Sequence, residues 1–286
     1  MGQSAARSAA SPLVNSQPQS ALSLSGQGSQ RISALSAQIA VRVNNGMQVS
    51  TAPKFGDAIF YPVIHDPAQH LSLPEPRRAL GRSNLRGFSL GTTFGFKTRY
   101  ICNYLERHLK KLRFRTAGFN KICIQGSKLE TATWAVQGAH AVVPGVSFNA
   151  SVYEALDDDN RHELYIAMTL DGLSVLAEHH AIPISEILDG IAEFRAAGYK
   201  NEWVHQTKCY LTDRVRATLH CSLKPNNFSM TLDISKDGHT VLREVILECL
   251  PDEIIFAHRL GSLEWCEDTI TVRQKDGAIL YRSTSQ

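Results

Sequence analysis

Val215-Arg-Ala-Thr-Leu-His-Cys-Ser-Leu223 is followed by Lys224-Pro-Asn-Asn227 and then by Phe228-Ser-Met-Thr-Leu-Asp-Ile234. In both runs every second residue is apolar, which is the period of a strand with one face buried. The four residues between them are turn formers, so the pair reads as an antiparallel hairpin. Downstream the same grammar continues. Lys236-Asp-Gly238 and Lys275-Asp-Gly277 are turns, and strands are expected near Val241 to Leu247, Ile254 to His258, Thr269 to Arg273 and Ala278 to Arg282. From Trp203 to the end, residues 203–286, the chain reads as a β-meander.

Upstream the period lengthens. Ile184, Ile187, Leu188, Ile191 and Phe194 share one helical face, with Pro183 before them and Gly198 after, so a helix is predicted over 184–197. A second helix is predicted near Leu173 to His179, completing a helical pair over 172–198. A third runs from Thr98 to Arg113, where Ile101, Tyr104, Leu105, Leu109 and Leu112 oppose Arg107, Lys110 and Lys111. Val146 to Val152 and Leu164 to Leu170 alternate like strands on either side of Asp157-Asp-Asp-Asn160, so a hairpin with an acidic tip is expected there. Phe119 to Ile124 reads as a strand, as does Ala58 to Ile64, although Pro62 suits an edge. No βαβ rhythm and no internal repeat is present. The expected class is α+β, an antiparallel β-rich body with about three helices.

Residues 1–53 are a Ser-, Ala- and Gln-rich leader with no periodicity, and the first acidic residue of the chain is Asp57. Such a segment cannot bury enough apolar area to offset an ordering cost of about 1–2 kcal/mol per residue, so a disordered tail is expected. A single body over 54–286 follows. No run approaches the roughly 18 consecutive apolar residues of a membrane-spanning helix, so no transmembrane segment is expected. Six cysteines lie at irregular spacing with no CxxC pair, which points to free thiols and to neither a disulfide framework nor a zinc site. No cofactor is called for.

The net charge of +3 hides an asymmetry. Residues 77–128 carry 13 Lys or Arg and one acid, Glu106, whereas residues 129–286 are acidic. Lys97, Arg99, Arg107, Lys110, Lys111, Arg113 and Arg115 are the candidate anion-binding residues, because a positive surface steers anionic partners at long range. The segment Gly91-Thr-Thr-Phe-Gly95-Phe-Lys97-Thr98 lacks the glycine directly before Lys that a phosphate loop needs. It is read as a loop leading into a helix whose N-terminus holds an anion beside Lys97 and Arg99.

A cysteine thiolate needs a nearby imidazole. Cys123, at the end of a strand, is followed 17 residues later by His140 and then by Pro144. In spacing alone this resembles the Cys–His pair of chemotaxis-type glutamine deamidases, which implies a cysteine-dependent hydrolase or deamidase with Cys123 as nucleophile and His140 as base. Leu176 to Ile187 has the spacing of a degenerate helix-turn-helix. Its second helix carries Glu186, Asp189 and Glu193, which phosphates repel, so sequence-specific DNA is disfavoured as a partner.

The acid-free, Ser-rich leader is similar in composition to the secretion leaders of bacterial type III effectors. The leading expectation is therefore an effector-like protein, exported from a bacterium into a host cell. It acts there by binding a protein or other anionic macromolecule through its basic surface. Two further classes stand beside it, the Cys123–His140 enzyme and an immunity or adaptor protein. A cytoplasmic or an organelle-targeted location accompanies the other readings of the leader, as a plain tail or a transit peptide.

Overall fold

The computed structural model describes residues 63–64, 90–112, 119–127, 133–137, 141–266 and 268–284. The leader and most of the stretch expected as the first strand lie outside the described residues. The class is α+β, with antiparallel sheets in the C-terminal part.

Helix α1 spans Leu90–Leu112. It buries Phe94, Tyr100, Ile101, Leu105 and Leu109, each no more than 2% exposed. Phe94 makes edge-on ring contacts with Phe148, Tyr153 and Tyr165 at centroid distances of 5.3, 5.3 and 5.4 Å. That aromatic cluster is why the stretch from Gly91 to Thr98, read above as a loop, is helical instead. Two glycines cost about 1 kcal/mol each in a helix, and one buried phenylalanine contributes more than that in area alone.

The first sheet is mixed. Its strands are β1 (Val63–Ile64), β2 (Lys121–Ile122), β3 (Gln125–Ser127), β4 (Thr133–Gln137) and β5 (Ala141–Ser147). β5 runs parallel to β2 and β3 and antiparallel to β4, while β1 runs parallel to β3. The expected strand Phe119 to Ile124 is thus interrupted at Cys123-Ile124. Parallel pairs of two or three residues are too short to leave a periodic signature, so this sheet was not legible as such.

Three helices follow, α2 (Ala150–Ala155), α3 (Arg161–Ala177) and α4 (Ile184–Ala196). Here the expected hairpin is overturned. Val152 lies in α2, and Leu164 to Leu170 lies in α3, which also absorbs the start of the helix expected from Leu173. Ile166 and Met168 are buried as an alternating strand would have them, but so are Tyr165, Thr169, Gly172, Leu173 and Leu176, at helical spacing. A helix apolar around much of its circumference imitates alternation over eight residues. α4 matches its prediction within one residue, and Ile187, Ile191 and Phe194 are buried on its inner face. α4 approaches α1 closely: a Cβ at Gly190 would meet the His108 ring at 3.0 Å.

The first part of the expected meander forms a four-stranded antiparallel sheet of order β6-β7-β8-β9. Its strands are β6 (Asn201–Tyr210), β7 (Val215–Leu223), β8 (Phe228–Lys236) and β9 (His239–Cys249). The β8–β9 turn places Asp237 and Gly238 at φ 51° and 84°, the two left-handed positions of a type I′ turn. Ala217, Leu219, Phe228, Met230 and Leu232 are fully buried on the inner face. Instead of the strand expected over Ile254 to His258 there is a short helix, α5 (Glu253–Phe256), and a 3₁₀ turn at Ala257–Arg259. The Asp252 side chain caps α5 by accepting from the Ile254 N–H at 2.9 Å.

A second antiparallel sheet closes the chain, with β10 (Leu263–Cys266), β11 (Thr269–Arg273) and β12 (Ile279–Thr284). It meets both edge strands of the larger sheet. Lys208 of β6 donates to the Leu263 carbonyl at 2.6 Å, and Tyr281 of β12 donates to Glu244 of β9 at 2.5 Å.

Candidate functional site

The basic residues of α1 fall into two groups. Those in its N-terminal and middle turns are engaged within the chain. Lys97 Nζ pairs with Asp158 Oδ1 at 2.6 Å. Arg99, only 2% exposed, places Nη2 2.6 Å from Glu253 and 3.5 Å from Glu106. Arg107 donates through Nε to Asn103 Oδ1 at 3.2 Å and through Nη2 to Asn201 Oδ1, and its guanidinium lies 4.4 Å from the Trp203 ring centre. Asn201 in turn donates to the Tyr100 carbonyl at 2.7 Å and to Asn103 at 3.0 Å. These groups tie α1 to β6 and α5. Because the helix begins at Leu90, Lys97 and Arg99 sit two turns inside it, and the expected helix-terminus anion site does not form around them.

The second group is the last turn. Lys110 and Lys111 are exposed, and neither has an ion-pair partner among the described residues. Arg113 and Arg115 follow directly in the chain and lie outside the described residues. Leu112, expected on the apolar face, is 45% exposed.

Asp158 shows what the acidic triplet does. Its Oδ1 also accepts from Arg161 at 2.5 Å, and its Oδ2 accepts from Asn226 at 3.1 Å. Partial burial alone would raise this carboxyl. The hydrogen bonds from Lys97, Asn226 and Arg161 outweigh it and hold the group below the usual carboxylate range. Asp158 therefore joins α1, the start of α3 and the β7–β8 turn. Among the described residues no group of three or more His, Cys, Asp or Glu side chains could hold a metal ion.

Next to Asp158 is an open cleft of about 320 Å³, walled by the start of α3, the α4–β6 turn and the β7–β8 turn. His162 lines it. Its Nδ1 is hydrogen-bonded to the buried Tyr100 hydroxyl, and its ring stacks on Tyr199 at 4.5 Å and 12°. Tyr199 donates to Glu163 at 2.7 Å, and Glu163 accepts two further bonds from Arg195 at 2.8 and 2.6 Å. Tyr199 has φ 58°, a left-handed conformation costly for a bulky side chain and held here by those contacts. Burial lowers the His162 pKa, which favours the neutral ring; its Nε2 has no hydrogen-bond partner among the described residues. Nothing in the sequence marked this arrangement, because His162 fell between the acidic tip and the second strand of the expected hairpin, and its partners come from α1 and the α4–β6 turn.

The Cys123–His140 pair is not assembled in view, since His140 lies outside the described residues. Cys123 is half-buried, and its thiol is pushed up by burial, against the direction a nucleophilic thiolate needs. All six cysteines are free. Cys209 and Cys266 are exposed, whereas Cys102 and Cys221 are buried, and burial pushes the Cys221 thiol up to about 12. Brief treatment of the native protein with iodoacetamide at neutral pH is therefore expected to label Cys209 and Cys266 first, and Cys123 no faster than a free cysteine. Peptide mapping by mass spectrometry reads this directly, and preferential labelling of Cys123 would revive the enzymatic reading.

Among the described residues no helix is long and apolar enough to cross a membrane. Comparison of the chain with protein-family models, with curated proteins and with solved structures gives no match.

Proposed function

We propose that this protein works by binding an anionic macromolecule through the exposed C-terminal end of α1. The supporting observation is the contrast along that helix. Lys97 and Arg99 are consumed by Asp158, Glu253 and Glu106, whereas Lys110 and Lys111 face solvent and lead into Arg113 and Arg115. A cationic cluster with no ion-pair partner among the described residues attracts negative partners and makes their binding salt-dependent.

The test is a Lys110→Ala/Lys111→Ala variant against a fluorescent oligonucleotide, used as a generic polyanion. Each lysine that neutralises a phosphate contributes about 0.7–0.9 to the slope of log K against log salt, so the slope should shrink by about 1.4–1.8. Glutamate at both positions should weaken binding further. Unchanged affinity and slope in both variants would remove the proposal.

The same reading assigns residues 1–53 to delivery, on the strength of their acid-free, Ser- and Gln-rich composition. A reporter fused to residues 1–53 should leave a bacterium equipped with a type III apparatus, and a reporter retained in the cell would separate the leader from export.

A further inference from the structure

β9 is an edge strand of 11 residues, and no strand among the described residues pairs with its outer edge. Long uncovered edges that carry apolar side chains pair with other strands unless something blocks them. Val241 and Val245 are each 51% exposed.

The register against β8 sorts the β9 side chains by face. Cys249, Leu247, Glu244 and Leu242 stand opposite the buried Phe228, Met230, Leu232 and Ile234, so they share the inner face. Glu248, Val245 and Arg243 stand opposite Ser229, Thr231 and Asp233, on the outer face. The irregularity between Met230 and Thr231 leaves Ile246 as an extra residue on β9, and that bulge is what returns Glu248 to the face carrying Arg243.

An antiparallel pairing of β9 with itself, centred on Val245 and with Ile246 bulged out on both strands as it is against β8, then has a specific consequence. Val245 meets its own copy at the axis, and Arg243 of each strand stands opposite Glu248 of the other, twice. Arg243 has no ion-pair partner among the described residues, and Glu248 receives only a 3.5 Å hydrogen bond from Asn227. Centring on Arg243 would instead set two guanidinium groups against each other.

We infer that the free edge of β9 is a homodimerisation surface, joining two copies antiparallel about Val245 into one continuous eight-stranded sheet. A two-fold axis makes such an interface self-complementary and closed, so it yields a dimer and no fibre. The attraction comes from main-chain hydrogen bonds along the edge, and the register comes from the crossed Arg243–Glu248 pairs.

Sedimentation velocity of the full chain over a range of concentrations tests this. The wild type should sediment as a dimer. Val245→Lys sets two ammonium groups on the axis and should weaken association by at least about tenfold, with an unchanged circular dichroism spectrum. Arg243→Glu should weaken it similarly, and Arg243→Glu/Glu248→Arg should restore it. In a Cys209→Ser/Cys266→Ser background, Val245→Cys should form a cross-linked dimer on mild oxidation, because strand residues facing each other across an axis lie within disulfide reach. A monomeric wild type overturns the inference. So does a dimer that survives Val245→Lys while Val245→Cys fails to cross-link.

Discussion

Replacing Arg99 with methionine is expected to destabilise the protein by about 3 kcal/mol, because the change breaks a buried ion pair and leaves its carboxylates behind. Arg99 is 2% exposed, and its Nε and Nη2 both donate to Glu253 Oε2, at 2.7 and 2.6 Å. Glu106 approaches the same guanidinium at 3.5 Å. Without the positive charge, two carboxylates lie near each other in partly dehydrated space, and Glu253 keeps the bond from the Asn103 amide, at 2.9 Å from its Oε1. Methionine fills much of the vacated volume, so the loss is electrostatic in origin and not a cavity effect. In a body of this size, 3 kcal/mol lowers the melting temperature by about 6–12 °C. Glu253→Gln added to Arg99→Met should recover much of the deficit by deleting an orphaned charge. If the double variant is as unstable as an additive sum predicts, the pair is not coupled and the account fails.

Phe228→Ala is expected to cost about 3–5 kcal/mol, the range for emptying a buried aromatic site. The Phe228 ring is fully buried at the start of β8. It stacks on Phe256 at 3.9 Å and 7°, and lies 6.0 Å from the Trp203 ring. One side chain thus packs α5 onto the inner face of the sheet and bridges to Trp203 of β6, and alanine would remove both contacts. Phe228→Leu keeps most of the volume and loses the stack, so its cost should be nearer 1–2 kcal/mol. Urea titration followed by tryptophan fluorescence reads both variants. Equal costs for alanine and leucine would mean that shape and volume do not matter at this position.

These two predictions concern residues that the sequence treated very unequally. Phe228 was legible, because strict alternation in β7 and β8 and the turns around them admit one pairing only. Arg99 was misread as part of an anion-binding terminus. Its true role depends on Glu253, 154 positions away, and on the helix beginning eight residues earlier than the glycines suggested. Lys97 was misread for the same reason, and among the described residues of the expected basic surface only Lys110 and Lys111 are exposed.

The His162 cleft was invisible at the level of sequence. Its histidine, the two tyrosines that fix it and the aspartate beside it come from three separated segments. No spacing rule connects residues that meet only after α1, α3 and α4 have packed. The false hairpin over 146–170 has a different cause, since a well-buried helix can show apolar residues at every second position.

The order of residues alone settled the antiparallel meander, its turns, helix α4 and the greater part of α1, because each of those elements obeys a local period closed by a local stop signal. Tertiary structure decided which positive charges were spent internally, which histidine was held in a cleft, that α3 was helical, and which strands stand at the edges of the larger sheet. Those outcomes depend on long-range pairing of charge and apolar surface, and no local period carries that information.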